Sequence, residues 1–191
     1  MEDKATIFSA AVVTPRKNTL ALVDGVAELA TSGIDCRLRL AGSLDDEGYV
    51  QQVRERIRRH GVEDRAVLLG RIDTEHVKRE LAAASVFALV SLEENSPMGI
   101  EEAMAAGVPV VTSNRCGMPY MVRHGESGFL VDPNDPHDIA RRLKQLLEND
   151  KLRRSMGAKG REIALDRFHP AKVAARTREV YVQAIEDFHR R

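Results

Sequence analysis

The sequence predicts a doubly wound, Rossmann-like α/β domain on a parallel sheet. Short runs rich in Val, Leu and Ile alternate with longer segments of helical period, which is the βαβ pattern. The runs read as continuous apolar stretches rather than alternating ones, as strands covered on both faces require. Six strands are expected, over residues 7–13, 36–41, 66–69, 86–91, 108–112 and 128–131.

Each intervening segment carries one apolar stripe. Leu20, Val23, Val26, Leu29 and Ala30 form the first, Val50, Val53 and Ile57 the second, and Val77, Leu81 and Ala84 the third. The fourth helix opens at Ser96-Pro97, a cap followed by a first-turn proline, and closes at Gly107. After the sixth strand only helices follow, over 135–149, 151–166 and 170–189, with Pro136 and Pro170 at helix starts. These last helices are expected to pack back on the sheet. The whole of 1–191 reads as one domain, with 135–191 as its helical C-terminal extension.

Composition excludes several function classes. Among 191 residues, 29 basic and 29 acidic side chains cancel, so neither nucleic acid nor an anionic membrane is an expected partner. No apolar stretch approaches the roughly 20 residues that span a bilayer, and the first residues are not a signal peptide, so the expected location is cytoplasmic. Cys36 and Cys116 lack CxxC spacing and read as free thiols. The six histidines are scattered singly, so no metal site and no cofactor is expected.

In an open α/β sheet the ligand lies beyond the carboxyl ends of the strands, where the strand order reverses; in the order 3-2-1-4-5-6 this is between strands 1 and 4. Two loops meet there, 14–18 with Arg16 and Lys17, and 92–97 with Glu93 and Glu94. The free N–H groups around Met98 and Gly99 would form an anion site, and Gly99 would let a ligand approach the backbone. Glu102 lies five residues after Pro97, about 7.5 Å along the helix axis. A diphosphate at the helix start would then have a carboxylate toward each end of a longer ligand, which suits a nucleotide sugar with its vicinal hydroxyls. Lys17 would supply positive charge to the diphosphate. The competing reading makes Glu93, Glu94, Glu101 and Glu102 a solvated acidic patch that favours the helix dipole.

These residues resemble the C-terminal, donor-binding half of the GT-B glycosyltransferases of retaining family 4 (group 1). The carboxylate signature is Glu94, seven intervening residues, Glu102, then Ala103 and Met104. Gly107 and Pro109 follow, then Gly117 and Pro119, then Gly125, Gly128, Asp132 and Pro133 at the family spacing. Pro15 and Lys17 are similar to the family's Pro-x-Lys loop, and the run from Leu69 to Ile72 to its nucleobase loop.

The resemblance implies that Glu102 binds ribose hydroxyls and Glu94 the transferred hexose. It implies that Lys17 and the backbone of Ser96, Pro97, Met98 and Gly99 hold the diphosphate. Met98 would lie against the nucleotide, and Ile72 would flank the base. Glu94 and Lys17 would be the catalytic groups of a metal-independent, retaining hexosyl transfer from a UDP-, GDP- or ADP-linked sugar.

Three departures accompany it. No basic residue occurs over 9–13, where the family carries an arginine, so either Arg16 substitutes or donor binding is weakened. The usual glycine-rich run after the first glutamate is Asn95-Ser96-Pro97, whose Asn95 and Ser96 side chains could contact sugar hydroxyls. Tyr120 stands where a glutamate often follows the proline, and is expected only to pack. An N-terminal GT-B domain would be the missing partner. It would supply the acceptor and any peripheral membrane contact, would leave this chain inactive alone, and would receive an apolar strip of the last helix including Val173, Val180, Tyr181 and Ile185. The alternatives are a degenerate interaction module, a GT-B sugar-nucleotide epimerase or a phosphorylase. A dinucleotide oxidoreductase is disfavoured because no GxGxxG follows strand 1.

Overall fold

Parallel strands that read as buried on both faces need helices on both sides, and a computed structural model describing residues 5–190 has that arrangement. The strands are β1 (Ala5–Ala10), β2 (Cys36–Ala41), β3 (Ala66–Gly70), β4 (Val86–Leu89), β5 (Val110–Ser113) and β6 (Gly128–Val131). They form one six-stranded sheet in the order β3-β2-β1-β4-β5-β6, every neighbouring pair parallel. The order reverses between β1 and β4, which places the crevice where the sequence predicts it.

The helices are α1 (Thr19–Thr31), α2 (Glu47–His60), α3 (Thr74–Ala83), α4 (Met98–Ala105), α5 (Met118–Met121), α6 (Pro136–Leu147), α7 (Asp150–Arg167) and α8 (Pro170–His189). Side chains of α1, α2 and α6 meet Ile7, Leu38 and Val111 in one core on one face of the sheet. Those of α3, α4, α5 and α7 meet Phe8, Phe87 and Val110 in the other. Phe8 and Phe87, adjacent in register, pack edge to face with centroids 6.1 Å apart. Glycines allow the tightest approaches: a Cβ on Gly157 of α7 would lie 2.0 Å from the Gly107 carbonyl oxygen at the end of α4.

Several strand ends differ from expectation, for hydrogen-bonding reasons. β1 ends at Ala10, but Ala11 and Val13 still donate to Ala41 and Ser43, so the expected span to Val13 is extended chain leaving the sheet. β4 stops at Leu89 instead of Ser91. β5 starts at Val110 because the Val108 N–H closes α4 on Ala103 and Pro109 has no N–H to donate. α5 falls in a segment where no helix was expected.

The C-terminal region divides in two. α6 and α7 supply Ile139, Leu143, Ile163 and Ala164 to the cores and do pack back on the sheet. α8 does not: none of its residues is buried, and Val173, Val180, Tyr181 and Ile185 are exposed. Among the described residues, no helix is long and apolar enough to cross a membrane.

Candidate functional site at the strand-order reversal

The chain leaves β1 through a single 3-10 turn, Pro15–Lys17, closed by Asn18 in the left-handed region at φ 55°. Asparagine tolerates that conformation better than other residues with a Cβ. The turn points two cations at the loop after β4. The Arg16 Nη1 donates to the Glu93 carbonyl at 3.1 Å and to Glu94 Oε1 at 3.2 Å, while the Lys17 ammonium pairs with the same Glu94 oxygen. Glu94 and Lys17 side chains are each only 11% exposed, whereas Arg16 stays half in solvent. The acidic loop is therefore not simply a solvated patch, because its Glu94 is enclosed by two cations.

Backbone bonds fix the same loops together. The Leu92 N–H donates to the Arg16 carbonyl at 2.9 Å, and the Gly117 N–H to the Glu94 carbonyl at 2.7 Å. Gly117 must be glycine, since a Cβ there would lie 1.5 Å from the Asn95 carbonyl oxygen. The Asn18 side-chain amide reaches the carbonyls of Val90 at 3.3 Å and Pro133 at 2.6 Å, joining the ends of β1, β4 and β6. Asn18 was not singled out as a candidate. Its signal was an Asn-Thr pair at a helix start, which reads equally as an ordinary cap.

α4 begins beside this cluster, and its start differs from the sequence reading. Pro97 occupies the cap position rather than the first helical one, and no side chain accepts from the first turn. The Ser96 hydroxyl, expected to cap, donates instead to Glu101 Oε1 at 2.9 Å. α2, α3, α6, α7 and α8 all have side-chain caps, and the Leu20 N–H of α1 donates to the Tyr49 hydroxyl at 3.2 Å. Among the described helices of eight residues or more, α4 alone leaves its first turn without a side-chain acceptor. The Ile100 N–H closes the first turn on the Pro97 carbonyl at 3.0 Å, which leaves the N–H groups of Met98 and Gly99 and the positive end of the dipole open to an anion.

Gly99 has an internal reason to be glycine. A Cβ there would stand 3.0 Å from the Phe87 ring and 3.2 Å from the Ala10 carbonyl, so the glycine also seats α4 on β1 and β4. Met98 is 69% exposed at the helix start, and Asn95 is exposed beside it. Glu102 follows on α4 with its carboxyl pushed up, first by desolvation and then by neighbouring Glu101. Ile72 packs against the core containing Phe8 and Leu81. Its loop is tied to the one after β2, where Arg71 donates to Asp45 at 2.7 Å. Arg16, Lys17, Glu94 and the start of α4 thus form one cluster, with Glu102 further along α4 and Ile72 on a separate loop. Tyr120 does not pack: it is 77% exposed, and only its backbone is engaged, the N–H donating to the Gly117 carbonyl at 3.1 Å and the carbonyl accepting from Arg167 at 2.6 Å.

A doubly wound parallel sheet whose strand order reverses between β1 and β4 defines an α/β domain of the Rossmann kind. Residues 1–163 match the family described as glycosyl transferases group 1, and the chain belongs to that family. It is 29% identical over 166 residues to the N-acetyl-alpha-D-glucosaminyl L-malate synthase of Bacillus anthracis, covering 87% of this chain and 42% of that protein. It is 32% identical over 180 residues to the MMP alpha-(1->4)-mannosyltransferase of Mycolicibacterium hassiacum, covering 94% of this chain and 43% of that one. The Anabaena HepE protein, solved in complex with UDP, superposes with a TM-score of 0.84 at 25% identity, over 95% of this chain and 49% of that chain. The fold is that of the C-terminal half of the GT-B glycosyltransferases. The chain spans less than half the length of these relatives.

Proposed function

We propose that the crevice binds a nucleoside-diphospho-sugar and is the donor half of a retaining, metal-independent hexosyltransferase. The observation that carries this reading is the open α4 start beside the Lys17–Glu94–Arg16 cluster. The diphosphate lies on the N–H groups around Met98 and Gly99. Lys17 turns from Glu94 to the phosphates, and Arg16 stands in for the arginine missing over 9–13. Released from Lys17, Glu94 accepts hydrogen bonds from the hexose. Asn95 and Ser96 border the same hydroxyls, Glu102 accepts from the ribose diol, and Ile72 flanks the base.

In the transfer, the bond between the anomeric carbon and the diphosphate oxygen breaks with its electron pair going to the diphosphate. The acceptor oxygen bonds to the same face of the sugar, and its proton passes to the departing phosphate. Lys17 and the α4 dipole stabilise the charge that develops on the leaving group, an electrostatic role worth roughly 3 kcal/mol per donor in other enzymes. The acceptor is held by a second domain, as the greater length of the relatives suggests, and the exposed strip of α8 packs on that domain. Binding from one side alone leaves water in the cleft and brings no acceptor, so this chain by itself transfers nothing.

Calorimetric titration of UDP, GDP and ADP, alone and as sugar conjugates, tests the assignment. UDP is the first choice because HepE was solved with it. Glu102→Ala is expected to weaken nucleotide binding about tenfold, the loss of a charge-assisted hydrogen bond. Lys17→Ala is expected to weaken diphosphates more than nucleosides. Absence of binding at millimolar concentration would overturn the reading in favour of an interaction module.

A further inference from the structure

β2 breaks the apolar pattern of the sheet. Its sequence from Cys36 to Ala41 puts Leu38 and Leu40 into one core and Arg37 and Arg39 on the opposite face, beside α3. Arg39 makes a two-pronged pair with Glu80 of α3, Nε to Oε2 and Nη2 to Oε1, both at 2.6 Å. Glu80 is buried, and His76 Nε2 lies 3.1 Å from its Oε1. The pair is only partly buried, with the Arg39 side chain 30% exposed. These charges stand on a face that the rest of the sheet fills with hydrocarbon.

Beside this pair opens a cavity of about 550 Å3, lined also by Arg37, Arg79 and Ser85. It lies at the amino ends of the strands, since Ser85 immediately precedes β4, and so at the opposite edge of the sheet from the crevice. Three arginines line it against one carboxylate. Arg39 is neutralised by Glu80, while the side chains of Arg37 and Arg79 make no hydrogen bond or ion pair among the described residues. Guanidinium forks match phosphate oxygens two at a time.

We propose that this cavity binds a small phosphomonoester, its dianionic phosphate clamped by Arg37 and Arg79. Such a site would be separate from the donor crevice and does not depend on the function proposed for it.

Amide NMR spectra of the 191-residue chain, titrated with inorganic phosphate and then with glycerol 1-phosphate, test this. The amides of Arg37 and Ser85 are expected to shift while that of Gly99 is not displaced in parallel, and the ester is expected to bind more tightly than phosphate. Arg37 and Arg79 are exposed, so the double variant Arg37→Ala, Arg79→Ala should keep the thermal midpoint and weaken binding about tenfold or more. No shift at Ser85 in tens of millimolar ligand, shifts confined to Met98 and Gly99, or unchanged affinity in the double variant would each overturn the site. Equal affinity for phosphate and its ester would overturn the ester assignment.

Discussion

Glu102 holds its proton more tightly than an ordinary carboxylic acid, because its site is partly desolvated and Glu101 repels its charge. With the folded value above the unfolded one, the native state binds the extra proton. Stability is thus highest at low pH with respect to this group, and falls as pH rises from about 4.3 through the raised folded value. Glu102→Gln removes that penalty. The variant is expected to melt no lower than the parent at neutral pH and to lose the parent's decline above the carboxylate range, as melts across pH would record. In the parent, donor affinity should fade on acidification sooner than an unshifted carboxylate would allow, since only the ionised form accepts two hydroxyl bonds. Gly117 gives the opposite balance. Its substitution by alanine drives a Cβ into the Asn95 peptide, for an expected loss of about 1–3 kcal/mol together with weakened UDP binding. Denaturant melts and calorimetry on Gly117→Ala check both.

At the scale of elements, α8 stands apart. It has twenty residues, none buried, and a helix without tertiary support is marginal at that length. Its amides are expected to exchange before those of any other helix, and removal of 170–191 should cost the remaining domain under about 1 kcal/mol, as hydrogen exchange and melts of the truncated chain would show. The sequence made α8 itself legible to the residue, because Pro170 and the helical period mark it clearly. What covers its apolar strip was not legible, since a period reports that a face exists and carries no information about its partner. The start of α4 was misread for a related reason. Ser96-Pro97 is a good cap signature in isolation, but the Ser96 hydroxyl finds Glu101, and the helix that looked capped is the open one. Gly99 carries a packing constraint from Phe87 and Ala10 that no local pattern announces.

For the whole molecule, the parallel sheet and the place of its crevice could be read from apolar runs without alternation, because a strand buried on both faces has few other ways to be written. The meeting of Arg16 and Lys17 with Glu94 followed from topology, as the two loops leave adjacent strands. The cavity under β2 did not, although Arg37 and Arg39 interrupt an apolar run in plain sight. Their significance depends on Arg79 and Glu80 arriving from α3, a contact across about forty residues that no local pattern encodes. Asn18 belongs to this class too. By bridging Val90 and Pro133, its amide makes the rim of the crevice a single piece, assembled before any ligand arrives. A ligand settling there need not halt the wandering of separate loops, so the entropy of ordering them is already spent in folding and more of each contact remains as affinity.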